Sequence, residues 1–313
     1  MTDVNGYVAG RVDGDPWLDR ARGALLGTFV GDALGMPFEG EPPAAIPERL
    51  EMVEARLGRG TYTDDTQMAI ALAESVLACG GIDEEHLARA FLAAYDPRRG
   101  YGSGTRTVLA LIADGVPVSE AATRAFAPGG SLGNGAAMRV APVAVRYTDD
   151  RDAMLDAARR SARVTHAHEV AVDAAAAQAA AVAAALRGDD VLGAARVAVA
   201  TDELRRGLAE AADLLAERPP PEAVAAVLGN GFTGHESVPA AIYAAAAHPR
   251  FEDAVSFAVR CGGDTDTIGA MAGAIAGARE GAGVIPARWL DALEDGEKGR
   301  SHVASLAERL SRG

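Results

Sequence analysis

The chain has 313 residues, 49 % hydrophobic but only 5 % aromatic, with alanine abundant. That composition supports a sizeable core and favours closely packed helices over a β-sandwich, whose strands draw on β-branched and aromatic residues. A formal net charge of −14 excludes the basic footprint of a nucleic-acid-binding surface, and it suits an anionic ligand only if bound cations offset the local field.

Residues 1–15 are polar and Gly-rich, read as a flexible tail, and lack the apolar segment of a signal peptide. A first helix is predicted from Pro16-Trp17 to Gly35. Others follow at 64–79, 83–95, 104–113, 118–126, 134–146, 151–163, 167–187, 190–199, 201–216, 221–228, 236–247, 251–260, 265–279 and 295–311. Many open on Asp, Ser, Thr or Pro and close near Gly, as capping chemistry favours. Val140 to Val145 is the one strand-like run, and its neighbourhood is helical. No β–α alternation occurs, which excludes a parallel nucleotide-binding sheet and makes the expected class all-α. Pro219-Pro220-Pro221 marks a linker or a sharp turn.

Cys79 and Cys261 form neither a disulfide framework nor a zinc motif, and both are expected to be buried thiols in a reducing compartment. The most apolar stretch, Ile268 to Ala278, falls short of the ~20 residues a membrane span needs. A soluble cytoplasmic protein with no membrane association is the expectation.

Two glycine stripes stand out: Gly23, Gly27, Gly31 and Gly35 in the first helix, and Gly269, Gly273 and Gly277 near the other end of the chain. An interior helical glycine costs roughly 1 kcal/mol relative to alanine, so a stripe needs compensation, and close helix–helix approach supplies it. The two striped helices are expected either to pack closely on each other in the core, near the acidic clusters, or each on some other helix.

Acidic clusters precede two Ala-rich helices. Thr63-Asp64-Asp65-Thr66-Gln67 reads as a capping box with Asp64 at the N-cap, or as a ligand set. Gly263-Asp264-Thr265-Asp266-Thr267 also reads as a cap, yet its Asp-x-Asp converges two carboxylates at one helix start, a pairing tolerable if a cation neutralises it. Such oxygen donors suit Mg²⁺, Mn²⁺ or Ca²⁺ rather than zinc. Asp32 lies on a largely apolar helix and needs a partner, either backbone or metal-bound water. Glu39 follows a proline turn, placed either in solvent or in a cleft.

The Gly-rich run from Pro128 to Arg139 is expected to lead into a helix and offer N–H groups to an anion, although it lacks the Gly-Lys-Ser/Thr of a P-loop. Tyr101-Gly102-Ser103-Gly104 is a weaker loop of the same kind. Of His166 and His168, which helical spacing points to different sides, at most one lines a site, and the other sits at the surface or caps a helix.

In this order the motifs GALLGTFVGDALGMPFEG, TYTDDTQMAIALAESV, GSLGNGAAMRVAPVA, VTHAHEVAVDAA and CGGDTDTIGAMAGAIAGA resemble the ADP-ribosylglycohydrolase family. The resemblance implies a single orthogonal multi-helix bundle over 16–313 and a binuclear Mg²⁺ or Mn²⁺ centre. Its ligands would be Thr63, Asp64, Asp65, Asp264, Asp266 and Thr267, with Glu39, Asp64 or Asp65 as the base. Ser131, Gly133, Asn134 and Gly135 would cradle a diphosphate, His166 would line the ribose side, and Tyr101, Gly102 and Ser103 would border the pocket. The implied activity is hydrolysis of an ADP-ribosyl linkage on a protein or small acceptor, the alternatives being a non-catalytic ADP-ribose binder, a crystallin-like structural relative, or a hydrolase of another nucleotide-like glycoside. Arginine-directed bacterial relatives carry an aspartate just before the loop matching Gly102-Ser103; here that place is Arg99 or Gly100, with Asp96 a few residues earlier, a departure that argues against arginine-linkage specificity.

Overall fold

A computed structural model describes residues 15–126 and 128–312, so apart from Asp15 the expected N-terminal tail lies outside the described residues. Within them the chain is all-α, with no strand and a single isolated bridge between Gly133 and Thr233. Helices α1 (Pro16–Gly35), α2 (Asp64–Cys79), α3 (Glu84–Ala94), α4 (Ser103–Ala113) and α5 (Val118–Ala125) form the first part. They are followed by α6 (Ala141–Arg146), α7 (Arg151–Arg163), α8 (Glu169–Arg187), α9 (Val191–Ala198), α10 (Asp202–Glu217) and α11 (Pro221–Leu228). The last are α12 (Gly234–Ala247), α13 (Phe251–Arg260), α14 (Thr265–Glu280), α15 (Ala287–Leu290) and α16 (Arg300–Ser311).

Helices α1 and α14 lie antiparallel with their backbones in contact. A Cβ added at Gly23, Gly27 or Gly31 would strike the carbonyl of Gly277, Gly273 or Gly269 respectively, and one added at Gly269 would lie 2.7 Å from the Gly31 oxygen. The two stripes are therefore one interface, and glycine is required at both sides of it. Around this pair the Ala-rich α8 is buried along nearly its whole length, touching α7, α9, α12 and α14. It is long and apolar enough to cross a bilayer, unlike the Ile268–Ala278 stretch that sequence reading singled out, but 94 % of its apolar window is buried inside the fold. A continuous apolar core reaches from Ala21 on α1 to Leu310 on α16.

Several predicted bounds move. The helix expected over 134–146 begins only at Ala141. The Asn134 N–H donates to the Phe232 carbonyl (3.0 Å), which pulls the loop away from helical pairing, and Pro142 then opens the helix. The strand-like Val140–Val145 run is mostly within α6. The last helix starts at Arg300 rather than 295, because the Asp295 carboxylate accepts the Ser301 N–H (2.7 Å) and holds the preceding residues in a turn. The three prolines make a sharp turn: Arg218 takes a left-handed conformation (φ 49°) after α10, and Pro221 begins α11. Cys261 is buried, as expected, but Cys79 is exposed, since it closes α2 at the surface just before Gly80.

Gly273→Ala should destabilise the protein by roughly 3 kcal/mol or more, because the clash is with backbone that has no rotamer to escape into. Gly296→Ala, where an added Cβ meets nothing, should stay within about 0.5 kcal/mol. Denaturant unfolding of both variants checks the contrast; equal stabilities would mean that the close approach is not needed.

Candidate metal centre

The α1–α14 contact brings the two acidic clusters together. Where α1 ends, the Thr265 hydroxyl donates to the Gly35 carbonyl (2.8 Å), setting the start of α14 beside the end of α1. Asp32, one turn earlier, holds the start of α2. Its carboxylate accepts the backbone N–H of Thr63 (3.0 Å) and of Thr66 (3.1 Å) and the Thr66 hydroxyl (2.6 Å). Asp32 is thus satisfied by backbone and a hydroxyl. The N-cap of α2 is Thr63, whose Oγ1 accepts the Asp65 N–H, rather than Asp64 as the capping-box reading had it. Gln67 does not complete that box; its Oε1 accepts the Tyr101 hydroxyl (2.8 Å). Both α2 and α14 therefore point their N-termini, the ends that favour negative charge, at one spot.

A cavity of about 390 Å³ opens there. Its walls include Glu39, Asp64, Asp65, Asp264, Asp266 and Thr267, and on the other side Gly102, Ser103, Ser131, Gly133, Asn134, Gly135 and His166. Each of Glu39, Asp264 and Asp266 offers an oxygen within 4.8 Å of the others, while Asp64 and Asp65 face the cavity from α2. Two expected site residues stand behind the wall. Thr63 is fully buried and donates its hydroxyl to Asp65 Oδ2 (3.1 Å). Tyr101 is buried, packed edge-on against Tyr95 and bonded to Gln67.

The glycine loop also differs from its expected form, because no helix begins at Asn134. The Gly133 N–H donates to the Ser131 hydroxyl (3.0 Å), and the Asn134 side-chain amide donates to Asp264 Oδ2 (2.5 Å) and Ser237 Oγ (3.0 Å). Asn134 thus braces a candidate cation ligand. The loop turns back on the Phe232–Gly234 segment, which places Phe126 and Phe232, both exposed aromatics, on the cavity. Neither was singled out from sequence, where an isolated phenylalanine carries no signal. His166 faces the cavity, whereas His168 caps α8 by accepting the Val170 N–H (3.2 Å). Arg99 turns away, pairing with Glu294 and lying 3.8 Å over the Tyr62 ring, so Gly100 is what reaches the cavity at that point.

The carboxylates of the cluster are buried together and repel one another. Burial, then repulsion from Asp266, pushes the carboxyls of Asp64, Asp65 and Asp264 well above the usual carboxylate range. Burial and Asp32 push Asp266 up to about 6. Glu39, its side chain 30 % exposed at the rim, is raised by partial burial and by Asp266, against the pull of Arg56 (3.3 Å). Asp65 Oδ1 is buried with no hydrogen-bond donor. An orphaned carboxylate oxygen among mutually repelling carboxylates is costly unless positive charge meets it, so the donor set fits hard divalent cations.

The sequence profile of the ADP-ribosylglycohydrolase family matches residues 13–313. ADP-ribosylhydrolase ARH3 of Homo sapiens is 34 % identical over 344 residues, spanning 94 % of this chain and 93 % of its own. An uncharacterized protein of Archaeoglobus fulgidus is 35 % identical over 310 residues, spanning 93 % of this chain and 96 % of its own. A solved ADP-ribosylglycohydrolase-related protein complex superimposes with a TM-score of 0.79 at 37 % identity, over 95 % of this chain and 98 % of that one.

Folding should be coupled to protons and cations at this cluster. Burial pushes the Asp32 and Asp266 carboxyls up to about 6 from an ordinary 3.8, so the folded state binds protons more tightly than the unfolded one. In EDTA, stability should therefore fall as pH rises from about 4 through about 6, and go on falling above it as Asp64, Asp65 and Asp264, raised further still, lose their protons. Mg²⁺ or Mn²⁺ should restore it on the alkaline side. Thermal unfolding across that range, with EDTA and with each cation, checks this; identical curves would remove the case for a cation site.

Proposed function

The chain belongs to the ADP-ribosylglycohydrolase family, and on that premise we propose that it hydrolyses ADP-ribosyl linkages at this cavity with the help of two Mg²⁺ or Mn²⁺ ions. The observation that carries the reading is the meeting, in one cavity, of five carboxylates from two chain-distant clusters and the Glu39 loop with the polar Ser131–Gly135 loop. Asp64, Asp65, Asp264 and Asp266 would hold the cations, with Thr267 beside them and Thr63 supporting from behind through Asp65. The cations would supply Lewis-acid stabilisation of developing negative charge and would help orient the ribose hydroxyls.

The remaining roles fall to the chain's own side chains. Glu39 stands next to Asp264 and Asp266 at the cavity rim, its carboxyl raised above the ordinary value by burial and by Asp266, and it would accept the proton of the attacking water. The loop at 131–135 and His166 would contact the diphosphate and ribose. Phe126 and Phe232 line the cavity and would offer aromatic rings for an adenine to stack on. Gly100, Gly102, Ser103, Gly104 and Thr105 line the cavity without a carboxylate, which favours an oxygen-linked acceptor over a guanidinium.

Asp266→Ala should abolish release of ADP-ribose and weaken divalent-cation binding by titration calorimetry; undiminished turnover would sink the assignment. A panel of arginine-, serine- and O-acetyl-linked ADP-ribose, each with and without EDTA, should show metal-dependent cleavage, with the oxygen-linked substrates preferred. Arg56→Gln removes the positive charge beside Glu39, so its carboxyl should rise further. The acid limb of the kcat profile should then move to higher pH, by a small step because the pair is partly exposed.

A further inference from the structure

Arg139 is fully buried and has no carboxylate partner among the described residues. One nitrogen, Nη2, donates to the Ser161 carbonyl (3.0 Å) and to Thr165 Oγ1 (2.8 Å), and the guanidinium lies 4.5 Å over the Phe91 ring. A buried cation is costly, so its placement calls for a reason beyond packing. Thr165 Oγ1 is in turn 2.7 Å from His166 Nδ1.

These contacts determine where the protons sit. Arg139 can only donate, so Thr165 accepts from it. The buried Thr165 hydroxyl then has one acceptor in reach for its own proton, His166 Nδ1. Were Nδ1 to carry a hydrogen, the hydroxyl would be left buried without an acceptor, a loss of roughly 1–3 kcal/mol. The ring proton therefore belongs on Nε2. That atom faces the cavity beside the glycine loop: a Cβ added at Gly135 would lie 3.2 Å from it, and one at Gly133 3.3 Å. Both glycines leave room for the ring edge.

We propose that Arg139 and Thr165 are positioning residues that hold His166 in the Nε2–H tautomer, so that it donates a hydrogen bond to an acceptor oxygen of the ADP-ribosyl ligand. Burial and the nearby Arg139 charge also keep the imidazole neutral, lowering its pKa to about 3. In a cavity rich in carboxylates, a free histidine would instead draw a proton and be tied up by them. The ligand part of this inference rests on the proposed function; the tautomer does not.

The test is long-range ¹H–¹⁵N NMR of the imidazoles in the ¹⁵N-labelled protein, with His166 assigned by comparison with His166→Gln. The wild type should show Nε2 protonated and Nδ1 bare at neutral pH. Thr165→Val, close in shape but lacking the hydroxyl, should give a mixed or Nδ1–H ring, and Thr165→Ser should restore the Nε2–H form. Free ADP-ribose should bind Thr165→Val about tenfold more weakly and Thr165→Ser nearly as well as wild type, a loss of about 1.4 kcal/mol. A wild-type Nδ1–H or charged ring, or a tautomer unchanged in Thr165→Val, would overturn the relay. An altered tautomer with unchanged ADP-ribose affinity would overturn the donor role. Failure of the wild type to bind ADP-ribose would count against the proposed function, while the NMR result would still decide the relay.

Discussion

Backbone-to-backbone packing of α1 on α14 is the constraint from which the site follows. Seven glycines remove every side chain along the seam, so the axes approach until carbonyls fill the space where Cβ atoms would be. The helix-propensity cost, roughly 1 kcal/mol per glycine, is offset by dense contact along four turns. Because the pair is antiparallel, the end of α1 and the start of α14 meet, and they carry Asp32, Glu39, Asp264 and Asp266 to one end of the bundle.

Asp32 extends that arrangement to a third helix. Its carboxylate collects the first free N–H groups of α2, so the start of α2 is fixed by a side chain on α1 as well as by its own Thr63 cap. Asp64 and Asp65 are then held at the cavity by a donor network rather than by loop chance. Asn134 does the same for Asp264 from the opposite wall. Candidate ligands are thus braced by groups that are themselves buried, the arrangement a metal site needs for geometry to survive thermal motion.

The charge pattern follows from the same geometry. Carboxylates gathered at two helix N-termini are favoured by the dipoles and disfavoured by one another. The balance leaves their protons tightly held and one Asp65 oxygen without a donor. Arg139, fully buried, gives its hydrogen bonds to Ser161 and Thr165 and lies over the Phe91 ring, on the histidine side of the cavity.

Local patterning was enough to read the all-α class, most helix bounds, the two glycine stripes and the acidic motifs, because caps, helical period and residue chemistry act within a few positions of the chain. The family resemblance carried the grouping of those motifs into one site. Where local reading failed, a distant partner had decided the outcome. Asn134 is drawn out of a helix by the Phe232 carbonyl, Gln67 is taken from a capping box by Tyr101, and Tyr101 is drawn behind the wall it was expected to border. The buried Arg139–Thr165–His166 chain, the Asp32 clasp on α2 and the placing of Phe126 and Phe232 on the cavity have no local signature at all. The sequence by itself determined which chemical groups exist and which helices bear them. Only the tertiary structure decided which of those groups face the cavity and which stand behind it, since hydrogen bonds between chain-distant residues and the depth of helix packing set the direction in which each side chain points.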